Sequence, residues 1–380
     1  WLGTLGGNYS LGLGVSADGS VVVGYARTDT FTDRAFRWTA DDGMQDLGTL
    51  DGISSHAYGV SANGSVVAGY SLNDSGQNRA FRWTADDGMQ NLGTLPGFDW
   101  SYAMGISADG STVVGYASTS GFVYRAFRWT ADGGMQSLGT LPGGFSSMAF
   151  AASANGSVVV GWSYNADRRL RAFRWTADGG MQELGTLGGT LSEAYGVSAD
   201  GSIVVGGAYN SDERNRAFRW KADEGMQNLG VLPGGNWSAA NAVSADGSIV
   251  VGYSDAGGRY HAIRWTEAGG MEDLNVAYAN LLDNGSYLET AQAISPDGRY
   301  IVGTGYNAAT GRREAYLLDT RPSRRDGDVN GDGCVDDSDL LRVLFAFGAT
   351  GNNLPEDLTR DGIVDDADLL EVLFNFGSGC

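Results

Sequence analysis

The chain has 380 residues, and its 45 acidic residues outnumber 25 basic ones to give a net charge of −20. A chain this acidic repels the phosphates of nucleic acids and of anionic membrane surfaces, so neither is an expected partner. No apolar run approaches the roughly 18 residues of a membrane-spanning helix, so no membrane span is expected. The length suits one large repeat domain and one small domain.

Most of the chain is one stretch written seven times. Its clearest anchor is A-F-R-W, which returns as A-I-R-W and A-Y-L-L in the last two copies. The seven anchors begin at Ala35, Ala80, Ala126, Ala172, Ala217, Ala262 and Ala315. They are therefore spaced by 45, 46, 46, 45, 45 and 53 residues. A second anchor, S-x-[DN]-G, also occurs seven times, and a period of this size is typical of a solenoid, a propeller or an array.

Within one repeat, short apolar runs rich in Val, Phe, Trp and Tyr are separated by Gly or Asp-Gly. In the first repeat the runs lie around GVS, VVVGY, AFRWT and MQDLGTL, and they predict four short strands. Asp18-Gly19 stands where a tight hairpin needs positive φ, and Asp41-Asp42-Gly43 predicts a second turn. Four strands in about 45 residues is the size of a propeller blade.

The two ends of the repeat array are complementary. The seventh repeat has runs at 291–295, 300–305 and 315–319 but no LGTL segment after them, whereas the chain begins with one at residues 1–5. We therefore expect an N-terminal strand to complete the last of seven blades, because such closure removes exposed sheet edges. Residues 275–282 predict a short helix before the final blade.

L-G-T-L-x-G, S-A-D-G-S-x-V-V-G and A-F-R-W-T together resemble the HAF family of extracellular repeats over residues 1 to about 320. The resemblance implies a mainly β, seven-bladed β-propeller of four-stranded antiparallel blades. It also implies an exported bacterial protein, extracellular or at the cell surface. Since Trp1 already belongs to a predicted strand, we expect the signal peptide to have been removed. The family is defined by its repeat, so the resemblance implies no activity.

A four-stranded meander places its S-A-D-G-S and T-A-D-D/G-G-M turns at one end and its variable loops at the other. The variable end carries aromatic residues that form a candidate ligand face, with a glycan as the candidate ligand: Tyr9, Phe98, Trp100, Phe145 and Trp237. Loops on a rigid scaffold commonly carry binding sites. The alternative is that these loops have drifted and that the aromatic residues pack locally.

The sequence gives little support for an enzyme. It contains no G-x-S-x-G or H-E-x-x-H motif, and its two histidines, His56 and His261, are expected in or beside loops. The arginine of A-F-R-W and the arginine before it recur in nearly every repeat. We interpret them as architectural, stacking on aromatic rings or pairing with Asp between blades. The sequence leaves open the alternative that distant loops bring two catalytic carboxylates together.

After Thr320 the composition changes, and a short basic linker, 321–327, leads to a module at 328–380. Residues 326–380 contain 13 acidic residues and two arginines. The acids follow the spacing of a 12-residue calcium loop twice, with oxygen ligands around a glycine turn. The predicted ligands of two Ca²⁺ ions are Asp328, Asn330, Asp332, the Cys334 carbonyl, Asp336 and Asp339, then Asp357, Thr359, Asp361, the Ile363 carbonyl, Asp365 and Asp368.

Each loop runs into a matched segment, DLLRVLFAFG or DLLEVLFNFG, and the duplication resembles type I dockerin modules. The resemblance implies an α-helical module whose protein partner is selected by loop positions 10 and 11, here Asp337, Ser338, Asp366 and Ala367. The two helices are apolar over most of their circumference, which predicts an interface that includes Leu344 and Leu373. Antiparallel helices would bring Cys334 and Cys380, the only cysteines, together as a disulfide.

These features predict a non-catalytic, secreted structural or interaction protein that assembles through its calcium-stabilised docking module. Its partner is either a second copy, in a head-to-tail surface filament, or a cohesin-like receptor on a scaffold. The alternative is a carbohydrate-binding or glycan-degrading propeller delivered to a cohesin-bearing scaffold.

Overall fold

The structure is a computed structural model that describes residues 1–282, 285–321, 327–351, 354–359, 361–378 and 380. Contacts between residues divide the chain into two compact units, Trp1–Leu318 and Asp319–Cys380. Most of the predicted linker, 321–327, lies outside the described residues. We keep the word "repeat" for the seven sequence copies inside the first unit.

The first unit consists almost entirely of short strands. Repeats 1 to 3 form β1 (Gly6–Val15), β2 (Val22–Thr28), β3 (Asp33–Thr39), β4 (Gly43–Asp46), β5 (Ser55–Val60), β6 (Val67–Leu72), β7 (Asn78–Thr84), β8 (Gly88–Asn91), β9 (Trp100–Ile106), β10 (Thr112–Ser118), β11 (Tyr124–Thr130) and β12 (Gly134–Gly139). Repeats 4 to 6 form β13 (Ser147–Ala152), β14 (Val158–Tyr164), β15 (Leu170–Thr176), β16 (Gly180–Glu183), β17 (Gly188–Val197), β18 (Val204–Asn210), β19 (Asn215–Lys221), β20 (Gly225–Asn228), β21 (Ser238–Val243), β22 (Ile249–Ala256), β23 (Arg259–Thr266) and β24 (Gly270–Asp273).

The seventh repeat follows a helical insertion. Helix α1 (Leu274–Ala277) and a 3-10 turn (Ala279–Leu281) occupy the place where the sequence predicts one short helix. The predicted runs of this repeat then appear as three strands, β25 (Tyr287–Ile294), β26 (Tyr300–Asn307) and β27 (Arg312–Asp319).

The strands pair as antiparallel meanders. Five sheets have four strands each, β5–β8, β9–β12, β13–β16, β17–β20 and β21–β24. A further sheet has seven, in the order β25-β26-β27-β1-β2-β3-β4, with a parallel bridge between Arg313 of β27 and Tyr9 of β1. The first unit is therefore mainly β and built from four-stranded antiparallel sheets, as the sequence predicts.

Most LGTL segments lie outside the strands, which corrects the predicted fourth strand: β4 ends at Asp46, whereas β12 continues to Gly139 within its LGTL segment. The first residue of the segment still bonds to its own sheet, since the Leu47 N–H donates to the Ala35 carbonyl at 2.9 Å. Gly48 then adopts φ 79°, which glycine tolerates, and the Leu50 N–H donates to Ser71 Oγ in the next repeat. The chain therefore turns away to join the next sheet.

Residues 1–5 repeat this arrangement against the last repeat. The Leu2 N–H donates to the Ala315 carbonyl at 2.9 Å, as Leu47 does to Ala35, and Gly3 has φ 77°. The start of the chain thus occupies the place beside β27 that an LGTL segment occupies in the other repeats.

A buried serine joins most neighbouring repeats. Ser55 Oγ accepts a hydrogen bond from the Ala35 N–H at 2.9 Å and donates one to the Gly48 carbonyl at 2.6 Å. Ser10 makes the same pair of bonds to Ala315 and Gly3. Both serine side chains are fully buried, so each of these junctions is held by a polar contact in the interior.

Hydrophobic clusters also span adjacent repeats. Phe81 of the second repeat is fully buried and packs in one cluster with Val23 and Ala35 of the first. Equivalent phenylalanines, Phe36, Phe127, Phe173 and Phe218, are also fully buried. One repeat therefore cannot bury its own apolar face, and the repeats are stable only when they stack on one another.

The S-x-[DN]-G turns form the hairpins that the sequence predicts. Gly19 has φ 73°, and Ser16 Oγ donates to Asp18 Oδ1 at 2.7 Å while accepting from the Val21 N–H. Successive turns are linked, because the Ala17 N–H donates to the Ala62 carbonyl and this pattern continues to Ala245 and Pro296. Pro296 has no N–H to continue the series to Ala17.

The second unit contains two helices, α2 (Asp337–Ala346) and α3 (Asp366–Phe374). Asp336 and Asp365 are the N-caps, each within a capping box, so each helix begins two residues before the predicted DLL segment. Five valines form the core of this unit: Val329, Val335, Val343, Val364 and Val372. Cys334 and Cys380 form the predicted disulfide, with their Cα atoms 4.8 Å apart.

Candidate functional sites

The two acidic loops of the second unit have the same internal pattern of hydrogen bonds. In the first, Asp328 accepts hydrogen bonds from the Gly331 and Gly333 N–H groups, and Asp339 accepts from those of Asn330 and Asp336. Asp328 and Asp339 are buried although both are carboxylic acids. Two carboxyl groups are thus held by backbone donors around a glycine turn.

The second loop reproduces this pattern 29 residues later. Asp357 accepts from the Gly362 N–H at 2.9 Å, and Asp368 accepts from the Thr359 and Asp365 N–H groups. Burial opposes ionisation of Asp368, but these backbone donors outweigh it and lower its pKa. The carboxylate form is therefore favoured in a buried position, where a cation would offset its desolvation.

The donor set suits a hard cation, because carboxylate, amide and backbone oxygens are the ligands that Ca²⁺ prefers. Within the described ranges, however, no three His, Cys, Asp or Glu side chains are arranged to hold a metal ion. The calcium ligands from Asp328 to Asp339 and from Asp357 to Asp368 stay a prediction.

The helices of the second unit expose apolar side chains at equivalent positions. Leu344 of α2 is 46% exposed and Leu373 of α3 is 48% exposed, while Phe345 and Phe374 reach 86% and 81%. We call the whole set the apolar face: Leu341, Leu344, Phe345, Phe347, Leu370, Leu373, Phe374 and Phe376. The four predicted partner-selecting residues lie in the first turns of the same helices: Asp337, Ser338, Asp366 and Ala367.

The candidate ligand face of the first unit is dispersed. Tyr9 lies in β1 and Trp100 opens β9, whereas Phe98, Phe145 and Trp237 lie in loops between sheets. Phe145 stacks on Tyr164 at 4.4 Å, and Trp237 contacts Tyr209 edge-on. Among the described residues no ring contact joins two of these five, so the structure does not bring them together as one aromatic surface.

Both histidines lie near the starts of strands, His56 in β5 and His261 in β23, so each stands beside a loop or turn. His56 belongs to a polar cluster between the first two repeats. Asp33 accepts hydrogen bonds from Tyr9 Oη at 2.6 Å and Arg27 Nε at 3.2 Å, and His56 Nε2 lies 3.7 Å away. Burial lowers the pKa of His56, and burial with the Asp33 hydrogen bond raises the pKa of Tyr9 to about 12.

The first strands of the repeats enclose a channel. Each of β1, β5, β9, β13, β17, β21 and β25 contacts the next, and β25 contacts β1. A cavity of about 440 Å³ opens within it. Each strand contributes one variable side chain to its wall: Leu13, Tyr58, Met104, Phe150, Tyr195, Asn241 and Gln292. In the sequence these residues occupy the variable position two residues before the V/I/A-S of each first strand, and that recurrence is the signal that identifies them.

In four repeats the arginine of A-F-R-W contacts a backbone carbonyl of the next repeat instead of the predicted aromatic ring or Asp. Arg174 Nε donates to the Gly201 carbonyl at 2.9 Å, in the S-x-D-G turn of the next repeat. Arg37, Arg128 and Arg219 make the same contact at longer distances. Arg264 differs, because it pairs with Glu272 at 2.7 Å and lies over the ring of Tyr278.

The comparisons with known proteins establish the fold. No protein-family model matches the chain, and no curated protein matches it. The oligogalacturonate lyase of Vibrio parahaemolyticus is 11% identical with a TM-score of 0.53, over 82% of this chain and 89% of the lyase. The β-propeller domain of the Trilobed protease from Pyrococcus furiosus gives 11% identity and a TM-score of 0.53, over 82% and 96%.

The chain also matches TolB from Acinetobacter baumannii at 14% identity and a TM-score of 0.48, covering 67% of this chain and 63% of that protein. The likenesses above a TM-score of 0.5 define the first unit as a β-propeller. They include an enzyme, but identities this low show only a shared fold. No helix in the described ranges is long and apolar enough to cross a membrane.

Proposed function

We propose that this chain is an exported, non-catalytic interaction protein, a seven-bladed β-propeller carried by a dockerin-like second unit that docks to another protein. The observation that supports docking is the apolar face. Its side chains come from equivalent positions of two helices, and large exposed apolar patches usually mark interfaces. The disulfide is consistent with an oxidising compartment outside the cytosol.

The count of seven blades rests on two observations. Five sheets have four strands, and the seven-stranded sheet consists of two meanders, β25–β27 and β1–β4, joined by one bridge. Seven first strands line the channel. Residues 1–5 then act as the outer segment of the seventh blade through the bond from Leu2 to Ala315. The HAF-type repeat would account for this regularity.

The second unit would be stabilised by two Ca²⁺ ions. Four buried carboxylates, Asp328, Asp339, Asp357 and Asp368, have backbone N–H donors around them, and Ca²⁺ would supply the missing positive charge. The remaining predicted ligands would complete each loop. Because ligand geometry and helix starts share the same aspartates, binding of the ion and folding of the helices are coupled.

A non-catalytic role is supported by the state of the polar cluster at Asp33. Its carboxylate is engaged by Tyr9 and Arg27, and His56 Nδ1 is buried without a hydrogen-bond partner in the described part of the chain. A general base must reach a substrate proton, which a buried nitrogen does not. Release of products from any oligosaccharide by the purified protein would contradict this part of the proposal.

Docking is tested with the full chain by light scattering after size exclusion, with Ca²⁺ and with chelator. A second copy docking head-to-tail gives a mass that grows with concentration, because such contacts need not close. A scaffold receptor gives a monomer that captures a recombinant type I cohesin. Leu344→Asp with Leu373→Asp should abolish whichever is seen. Leu281→Asp, the same change at a 54% exposed position of the first unit, is the matched control.

The proposal fails if the wild-type protein neither self-associates nor binds cohesin in Ca²⁺. It also fails if the double variant behaves as the wild type does. An equal loss in Leu281→Asp would show that added charge, rather than the apolar face, causes the effect.

A further inference from the structure

The channel of the first unit is regular except at one level. Towards the S-x-[DN]-G turns its wall consists of small or aliphatic residues in every repeat, such as Val15, Val60 and Val197, followed by alanines or Pro296. At the level of the 440 Å³ cavity the side chains differ in size and polarity. The scaffold is therefore constant and the chemistry of one ring of positions is not.

The variable side chains are sorted around the channel. Repeats 2, 3 and 4 contribute Tyr58, Met104 and Phe150, which form an aromatic and thioether wall. Repeats 5, 6 and 7 contribute Tyr195, Asn241 and Gln292, which form a hydrogen-bonding wall. Since consecutive first strands contact in order around the channel, the two walls face each other across the cavity.

The hydrogen-bonding wall presents acceptors. Asn241 Nδ2 donates to the Ala291 carbonyl at 2.9 Å, and Gln292 Nε2 donates to Thr290 Oγ1 at 3.3 Å. Their amide oxygens have no donor among the described residues. Tyr195 Oη donates to Glu193 Oε2, so its hydrogen is also engaged. The wall therefore offers two acceptor oxygens and a second N–H on each amide, a set that suits hydroxyl groups because they both donate and accept.

We propose that this cavity binds the end of a neutral saccharide, with a sugar face against Tyr58 and Phe150 and hydroxyl groups donating to Asn241 and Gln292. Its volume lies within the range of small-ligand sites, and such sites combine apolar walls with a few placed polar groups. A uronate fits this wall less well, because Glu193, which accepts the Tyr195 hydrogen bond, already places one carboxyl group beside it. Burial raises the pKa of Glu193, so a carboxylate is poorly solvated in these surroundings.

This inference goes beyond the docking function, which rests on the second unit alone. It also differs from the dispersed aromatic residues of the variable end, because it requires polar side chains inside the channel. Substitutions in the channel and at the variable end distinguish the two candidate binding sites.

The test begins with the full-length protein on an array of neutral oligosaccharides and oligogalacturonates, followed by calorimetry with the strongest neutral binder. Gln292→Leu should raise the Kd about tenfold, the loss expected for one or two hydrogen bonds. Phe150→Leu should weaken the same ligand through the opposite wall. Gln90→Leu, the same change at an exposed position of β8, is the matched control and should leave the Kd unchanged.

Binding of no neutral oligosaccharide overturns the inference, as does tighter binding of oligogalacturonate. An unchanged Kd in both channel variants, with a loss in Trp237→Ala, would place the site at the variable end and equally overturn it. Melting temperatures of the variants establish that the propeller is folded in each case.

Discussion

The serine contacts between repeats allow a quantitative test of how the propeller closes. Ser101 Oγ accepts from the Ala80 N–H at 2.9 Å and donates to the Gly93 carbonyl at 2.6 Å; Ser101 and Ala80 are fully buried, whereas Gly93 is exposed. Ser101→Ala leaves both backbone groups without this partner. Leaving the buried Ala80 N–H unsatisfied costs about 1–3 kcal/mol, and losing the bond to the exposed Gly93 carbonyl costs about 1 kcal/mol, so the expected loss is about 2–4 kcal/mol.

The corresponding change in melting temperature follows from the size of the first unit. An unfolding entropy of about 2.1 cal/mol/K per residue gives about 0.7 kcal/mol/K for the unit that ends at Leu318. The expected shift for Ser101→Ala is therefore about 3–6 °C downward, measured by calorimetry or circular dichroism.

Ser10→Ala removes the same two contacts at the junction where the ends of the array meet. This junction also lacks the backbone link between turns, since Pro296 has no N–H, so the shift should be at least as large. Ser20→Ala, at an exposed turn position that bonds only to Asp18, is the control and should change little. If Ser101→Ala lowered the melting temperature as expected and Ser10→Ala did not lower it, closure by residues 1–5 would be refuted.

Three further predictions concern ions, the disulfide and pH. Calorimetry should show two Ca²⁺ sites per chain, and the second should be weaker because its third loop position is Thr359, where the first loop has Asn330. Asp339→Asn and Asp368→Asn should each remove one site. If Ca²⁺ did not increase the helical content of the chain, this prediction would be contradicted. No thiol should titrate in the unfolded, unreduced protein, and two free thiols would disprove the pairing. Reduction of the disulfide, which spans 46 residues, should destabilise the second unit by about 4 kcal/mol. Serine and backbone donors lower the pKa of turn aspartates, that of Asp246 to about 2, so their stabilisation is present above about pH 4 and is lost as the pH falls towards 2. Four such aspartates can be replaced by Asn together: Asp18, Asp109, Asp200 and Asp246. Asn63 and Asn155 occupy the same turn position in other repeats, so the turn accepts Asn. The fourfold variant should lose less melting temperature between pH 5 and pH 2 than the wild type, and an equal loss would count against these contacts.

Much of the fold was predictable because the repeat is local. The glycine turns at Gly19 and Gly64, the strands of each repeat and the insertion before the seventh all follow from residues within one period. The fourth strand was predicted too long because Leu50 belongs by hydrogen bonding to the next sheet. A pattern inside one repeat does not contain that contact.

The candidate sites divide in the same way. Both acidic loops and their helices could be identified from spacing alone, since ligands and caps are close in sequence. The cluster of Tyr9, Arg27, Asp33 and His56 could not, because it joins three strands of one repeat to a strand of the next. The partner of the A-F-R-W arginine, the Gly201 carbonyl for Arg174, also became visible only once adjacent repeats were packed.

The sequence by itself determined the period, the strand and turn chemistry of each repeat, the duplicated acidic loops and the pairing of two cysteines. These depend on interactions over a few residues, or on there being a single choice. Only the tertiary structure decided which side chains meet around the channel, with Tyr58 and Phe150 on one wall and Asn241 and Gln292 on the other. The physical reason is that closing the stack brings together positions far apart in the chain, and no local preference encodes which of them face each other.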